Sequence, residues 1–321
     1  MSGVFRCSRN FAQALTRQVR WYASPVSPAH VDSTVDKLKT ETNRLSQTTK
    51  KFWDQVSFEE HAETGKLVIQ LDKKPIRTPL GNHLAVEKER ELLARLLQKE
   101  WSNISHGSVK THALPLTSLI SRCIDLEAAN KENAHPDLKV KIGGNRRELS
   151  DSLLRYLDTD TILVFSPKDE LEGKLRAAQD DMYLPIIGSV EKFLSQYSAK
   201  TISLQILDAD VHGLRGNAQQ PETLAAARKF LDSLSAWDLA VFEKTVLTTK
   251  SFICGILLLQ NKASANPEKG LRYTMEDIAK AATLETIYQT ERWGEVEDTH
   301  DVDKRDIRRN VYAAAIAAYK P

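Results

Sequence analysis

Cysteine is scarce in this chain and badly placed for shared chemistry. Only Cys7, Cys123 and Cys254 occur among 321 residues, far apart and without a CxxC. That spacing argues against a disulfide framework or a cysteine zinc site, and predicts free, buried thiols. The loops that cradle phosphates are missing too: there is no GxxxxGKS/T and no GxGxxG. There is no GxSxG elbow and no HExxH, and the eight histidines are scattered. "SVEK" (Ser189–Lys192) matches SxxK but lacks its companion motifs. "DTD" (Asp158–Asp160) and "DAD" (Asp208–Asp210) lack the glycine and distal glutamate of a calcium loop, so capping or turn roles are expected. No apolar run is long enough for a membrane span. The best, "FICGILLLQ" (Phe252–Gln260), reads as a buried helix. These absences predict no cofactor, no metal, no catalytic set and no stable membrane insertion.

Acid is absent from the start of the chain. Arg6, Arg9, Arg17 and Arg20 occur before the first acidic residue, Asp32, and Val4, Phe5, Phe11, Leu15 and Val19 can share one side of a helix. An Arg-rich, acid-free amphipathic segment is the composition of a mitochondrial presequence. Residues 1–22 are assigned to it, which places the protein in the mitochondrial matrix. Residues 23–50 are polar, with Pro25 and Pro28, and read as a linker. The body that remains is close to neutral. That argues against a nucleic-acid binder, which needs a basic surface to release counterions.

The rest predicts an α+β protein: a small antiparallel β-rich unit with one or two helices at residues 51–140, then a larger, mainly helical domain at 141–321. "KLVIQL" (Lys66–Leu71), "PIRTP" (Pro75–Pro79) and "HLAV" (His83–Val86) read as a short meander. Helical spacing follows in Leu92, Leu93, Leu96, Leu97 and Trp101, and a second helix is expected over Leu114–Glu127. Residues 128–145 are polar and read as the boundary. Beyond them helices are expected at Arg146–Leu157, Glu170–Tyr197, Glu222–Leu234, Trp237–Thr248, Ser251–Asn261, Met275–Trp293 and Val302–Tyr319. "TILVF" (Thr161–Phe165) and "TISLQIL" (Thr201–Leu207) look extended, and join the sheet or cross between helices.

The stretch "ETIYQTERWGEVE" (Glu285–Glu297) gathers carboxylates around one tryptophan. At 100° per residue, Ile278, Ala281, Ala282, Glu285, Gln289 and Arg292 share one side of a helix. Glu285 thus continues a stripe that begins apolar, where a carboxylate needs a partner, and Arg292 could help neutralise it. The residues leave three roles open: a salt-bridge network at a helix end, a partner-binding acid, or a catalytic acid. The catalytic role would make the chain a matrix hydrolase using Glu285 with a histidine from the N-terminal unit. Trp293 before Gly294 reads as an apolar anchor beside a helix cap.

The order "LDKKPIRTPLGNHLAV", "EWSNI", "LPLTSLISRCID", "YLDTDTILVF" and "LETIYQTERWGEVE" resembles the mitochondrial assembly chaperones of the F1-ATPase that handle its alpha subunit. The likeness spans about Phe52 to Tyr319. Lys73 stands where that family usually has glycine, so the turn is expected to avoid a glycine-only conformation. Tyr183 and Leu114 replace the usual tryptophan and methionine. The resemblance implies a non-enzymatic, ATP-independent chaperone that shields an unassembled alpha subunit until the hexamer forms, acting as a monomer. Carried onto the late helix, it implies that Glu285 contributes to client recognition, supported by Gln289, Arg292 and Trp293.

Overall fold

The structure is a computed structural model that describes residues 51–104, 109, 111–131, 133–213, 216–262, 271–296 and 299–320. The presequence and linker assigned to residues 1–50 lie outside the described residues. Strands come first. β1 (Val56–Glu60) pairs antiparallel with β2 (Leu67–Leu71) along its whole length. The other edge of β2 is shared: β3 (Lys74–Pro75) takes its C-terminal end and β4 (Ala85–Val86) its N-terminal end. This is not the simple meander the sequence suggests, because β4 turns back to β2. Pro75 closes the two-residue β3 opposite Gln70, at a strand end where a missing N–H is tolerated.

The β2–β3 connection has two residues, Asp72 (φ 46) and Lys73 (φ 67), both left-handed. That is the geometry of the tightest hairpins. Lys73 therefore does not avoid the turn that glycine favours. It occupies the left-handed region at a steric cost. Asp72 offsets part of this by accepting from the Asp54 and Gln55 amides at 3.1 and 2.9 Å.

The motifs after the sheet lock it to two helices, α1 (Glu91–Ser102) and α2 (Pro115–Ala129). Glu100 accepts from the Leu116 and Thr117 amides, both at 2.8 Å, and so caps the orphan amides that begin α2. Trp101 Nε1 donates to Thr117 Oγ1 at 2.8 Å. Asp125, buried on α2, holds the 78–82 turn by accepting from the Leu80 amide (3.2 Å), the Asn82 side chain (2.8 Å) and Thr78 Oγ1.

Next come α3 (Pro136–Lys141) and α4 (Arg146–Leu154), the latter opened by a capping box of Asn145 and Glu148. Residues 128–145 are thus not all loop. A six-residue helix shows too few turns for its period to be read. β5 (Val164–Phe165) precedes α5 (Lys174–Ser195), and β6 (Leu207–Asp208) leads into the single turn α6 (Ala209–His212). Among the described residues β5 and β6 pair with each other in parallel and join no other strand. The two extended stretches therefore make a ladder of their own.

Among the described residues the helices that follow are α7 (Pro221–Ser233), α8 (Ala236–Thr249), α9 (Phe252–Lys262), α10 (Met275–Trp293) and α11 (His300–Ala318). α9 is buried on all sides; Phe252, Ile253, Cys254, Ile256, Leu257 and Leu258 are fully inaccessible. A β-carbon at Gly255 would lie 2.5 Å from the Phe242 ring, so glycine lets α8 approach α9. One continuous core runs from Trp53 to Ala318. Arg122 on α2 clamps Glu243 on α8 with two bonds of 2.7 and 2.8 Å. Cys123 and Cys254 are free and buried.

The amides at the start of α9 are out of reach of water, and Asp160 satisfies one of them. Its two oxygens accept from Ile162 N and Ile253 N, each at 3.0 Å. Burial pushes this carboxyl up to about 6, against the pull of those hydrogen bonds. The "DTD" and "DAD" stretches thus do cap helical turns, at Asp160 and Asp208.

Two predictions arise. Lys73→Gly relieves the left-handed strain and should raise stability by about 1 kcal/mol in urea titrations; an unchanged or lower midpoint contradicts this. For Asp160, the folded form keeps its proton up to about pH 6 while the unfolded chain loses it near 4. Its contribution to stability is therefore full below that lower value and declines as pH rises through the window, by roughly 2–3 kcal/mol, then is flat. The wild-type advantage over Asp160→Asn should shrink between pH 4 and 6; a pH-independent difference contradicts it.

Candidate functional site

α10 begins inside the molecule and ends outside it. Thr274 and Asp277 form a capping box at its start. Met275, Ile278, Ala279, Ala281 and Leu284 are buried. From Glu285 onward every residue is exposed or half-buried, as far as Val296. Gly294 (φ 87) stops the helix, donating its amide to Thr290 O at 2.9 Å. Only a residue at ease with that backbone closes the helix without strain.

The buried half is held by Tyr183 of α5, whose hydroxyl donates to Ala281 O at 2.8 Å. Burial, with the nearby Glu285 charge, pushes the Tyr183 hydroxyl well above its ordinary range, so it stays a donor. One turn earlier on α5, Gln179 accepts from the Ser166 amide at 2.9 Å and donates to Val164 O at 3.3 Å. The "QDDMYLP" stretch is thus a brace between β5, α5 and α10.

The four residues singled out from sequence lie together on the free half of α10. Glu285 is exposed and accepts from Gln289 Nε2 at 2.7 Å. The stripe of Ile278 and Ala281 leaves the core just before Glu285. Arg292 does not neutralise Glu285. It lies 3.6 Å from Glu172, because Glu172 stands at the turn that precedes α5. Lys174, at 2.8 Å, and Arg292 hold the Glu172 carboxyl below its usual range. Leu171 (φ 51), Glu172 (φ 60) and Gly173 (φ 75) are successive left-handed residues, two of them without glycine's freedom. Trp293 is no core anchor: it is 66% exposed. Exposed ion pairs contribute little to stability. An open tryptophan beside charges held only by exposed partners is a surface suited to contact.

The catalytic arrangement that sequence left open needs a histidine bonded to Glu285. The described hydrogen bond of Glu285 is to Gln289. Among the described residues, no group of three His, Cys, Asp or Glu is placed to hold a metal ion. No helix among them is long and apolar enough to cross a membrane. Two features escaped the sequence reading. Glu172 is far away in the chain from Arg292, and no local pattern pairs them. A groove of about 810 Å³ on the opposite side of α10, lined by α8, α10 and α11, also left no motif.

The geometry has counterparts in known proteins. Residues 50–191 match the family described as ATP12 chaperone protein. Protein ATP12, mitochondrial, of Saccharomyces cerevisiae is 57% identical over 304 residues, covering 94% of each chain. Protein atp12, mitochondrial, of Schizosaccharomyces pombe is 37% identical, covering 83% of this chain and 81% of its own. Among solved structures, the Atu1473 protein of Agrobacterium tumefaciens is similar with a TM-score of 0.62 at 22% identity, covering 84% of this chain and 85% of that one. Atp12 from Paracoccus denitrificans gives 0.54 at 21% identity, covering 84% and 99%. These two likenesses concern the fold. The chain belongs to the ATP12 chaperone family, the F1-ATPase assembly chaperones that its motifs resemble.

Tyr183→Phe removes one buried bond and the brace on α10. It should cost about 1 kcal/mol, read as a lower melting midpoint. No loss would mean that α10 is positioned without it.

Proposed function

We propose that this protein is an ATP-independent chaperone of the mitochondrial matrix. As a monomer it holds an unassembled F1-ATPase alpha subunit, covers the surface that later meets a beta subunit, and yields it as the hexamer forms. The observation that carries this reading is the exposed α10 end, where Glu285, Arg292 and Trp293 face solvent on a helix whose first half is buried. Membership of the ATP12 family and the mitochondrial naming of the relatives support it.

The physical requirement on such a chaperone is a balance. Apolar interface left open on a lone subunit is an aggregation hazard. The holder must bind well enough to cover that surface, yet be displaced by the permanent partner. That is a difference of affinities, and it needs no nucleotide hydrolysis. A tryptophan supplies apolar contact, and the charges around it govern encounter and register more than strength. Residues 1–22 serve as the presequence that delivers the chain to the matrix.

The test is a pull-down from matrix extract with the tagged full chain and no nucleotide. Free alpha subunit without stoichiometric beta is the expected capture. Failure to capture alpha, even with excess free alpha supplied, overturns the reading. Glu285→Lys should weaken capture by about tenfold, equivalent to about 1.4 kcal/mol, and leave the melting midpoint within a few degrees. A large fall in the midpoint would make Glu285 a structural residue instead.

A further inference from the structure

A pocket of about 370 Å³ lies between the sheet, α2 and the start of α8, and shares no residue with the Glu285 surface. Most of its charges are paired. Lys66 meets Glu87 at 2.6 Å, and Lys320 meets Asp238 Oδ2 at 3.0 Å. Two are not. Glu127, half-buried on α2, has no hydrogen bond or ion pair to its carboxylate among the described residues. Burial raises its pKa, although Lys66, Arg90 and Lys131 oppose this from beyond bonding distance. Arg90, also half-buried, donates from Nη1 to Ala317 O at 2.9 Å, and its guanidinium carbon lies 4.6 Å from the centre of the Trp237 ring. Its remaining N–H groups have no described partner. Two further polar atoms are unmatched on residues that line the same pocket. Asp238 is 8% exposed and its Oδ1 has no partner, and neither has His61 Nδ1.

Opposite charges that line one pocket without touching select their occupant. A cation alone would leave Arg90 unmatched, and an anion alone would leave Glu127 unmatched. A small molecule that carries both charges matches both. We propose that this pocket binds a free α-amino acid, its ammonium on Glu127 and its carboxylate on Arg90. An ammonium has three donors, so Asp238 Oδ1 or His61 Nδ1 is available for a second bond. The planar fork of Arg90 suits a carboxylate. Val68, Val86 and Ile124 complete the lining and favour an aliphatic side chain. The volume is that of a small-ligand site. The paired Lys66 and Lys320 add no free charge that would repel the ligand.

The experiment screens the full chain against the standard amino acids, one at a time, by melting midpoint and calorimetry. At a concentration of about ten times Kd, the preferred one should raise the midpoint by about 2 °C. Its N-acetyl and carboxamide forms, which lack one charge each, should bind wild type at least about tenfold more weakly. Glu127→Gln should lose affinity to the same extent. Its own midpoint should stay level or rise, because a half-buried charge without a partner has been removed. No midpoint shift with any amino acid, the result for a pocket that holds only water, overturns the proposal. So does undiminished binding by Glu127→Gln or by either capped form. The test uses no alpha subunit, so the amino-acid site and the client-holding function stand or fall separately.

Discussion

The fold depends on solving one problem: a helix whose first turn has no water. α9 lies at the centre with Phe252, Ile253 and Cys254 inaccessible, and orphan amides there must find acceptors inside the protein. Asp160 reaches across from the turn before β5 to take the Ile253 amide, and Ser251 Oγ takes the Cys254 amide at 3.0 Å. Holding a carboxylate there is costly, as its raised protonation point shows. Leaving the amides unmatched would be worse. Around this point α8, α10 and α11 pack against α9, and the position of α10 decides what the surface offers.

The motifs by which the family is recognised turn out to be mostly internal ties. Glu100 and Trp101 close onto the start of α2, and Asp125 holds the 78–82 turn. Gln179 and Tyr183 brace β5 and α10. Such residues answer to packing and hydrogen bonding, and say little about what is bound. The late helix differs. Its first half answers to the core, while Glu285, Arg292 and Trp293 hold only surface partners or none needed for the fold. Capacity for contact is concentrated on the half of α10 that leaves the core. That arrangement suits the holding role proposed above.

Much of this was legible from residues alone, for a physical reason. A helix of four or five turns repeats its pattern often enough to be read, and α10 runs over the predicted Met275–Trp293. α3, with six residues, does not, and lies within the polar stretch that reads as a domain boundary. β5 and β6 pair over two residues each, and their parallel partnership depends on α5 bringing them together. Lys73 shows the limit of reading a turn by composition: two hydrogen-bonded neighbours of Asp72 hold a left-handed lysine in place. At the site, the stripe from Ile278 to Arg292 was visible, but not where it leaves the core. That point is set by where neighbouring helices end. For the same reason Arg292 meets Glu172 rather than Glu285.

The central claim is that α10 presents its outer half to a client on a base fixed by the core. Amide hydrogen exchange of this protein, alone and with free F1 alpha subunit, tests it most directly. The account predicts slowed exchange over residues 285–296, with the already protected amides of α9 unchanged. Protection confined to β1–β4, with no change along α10, would contradict it.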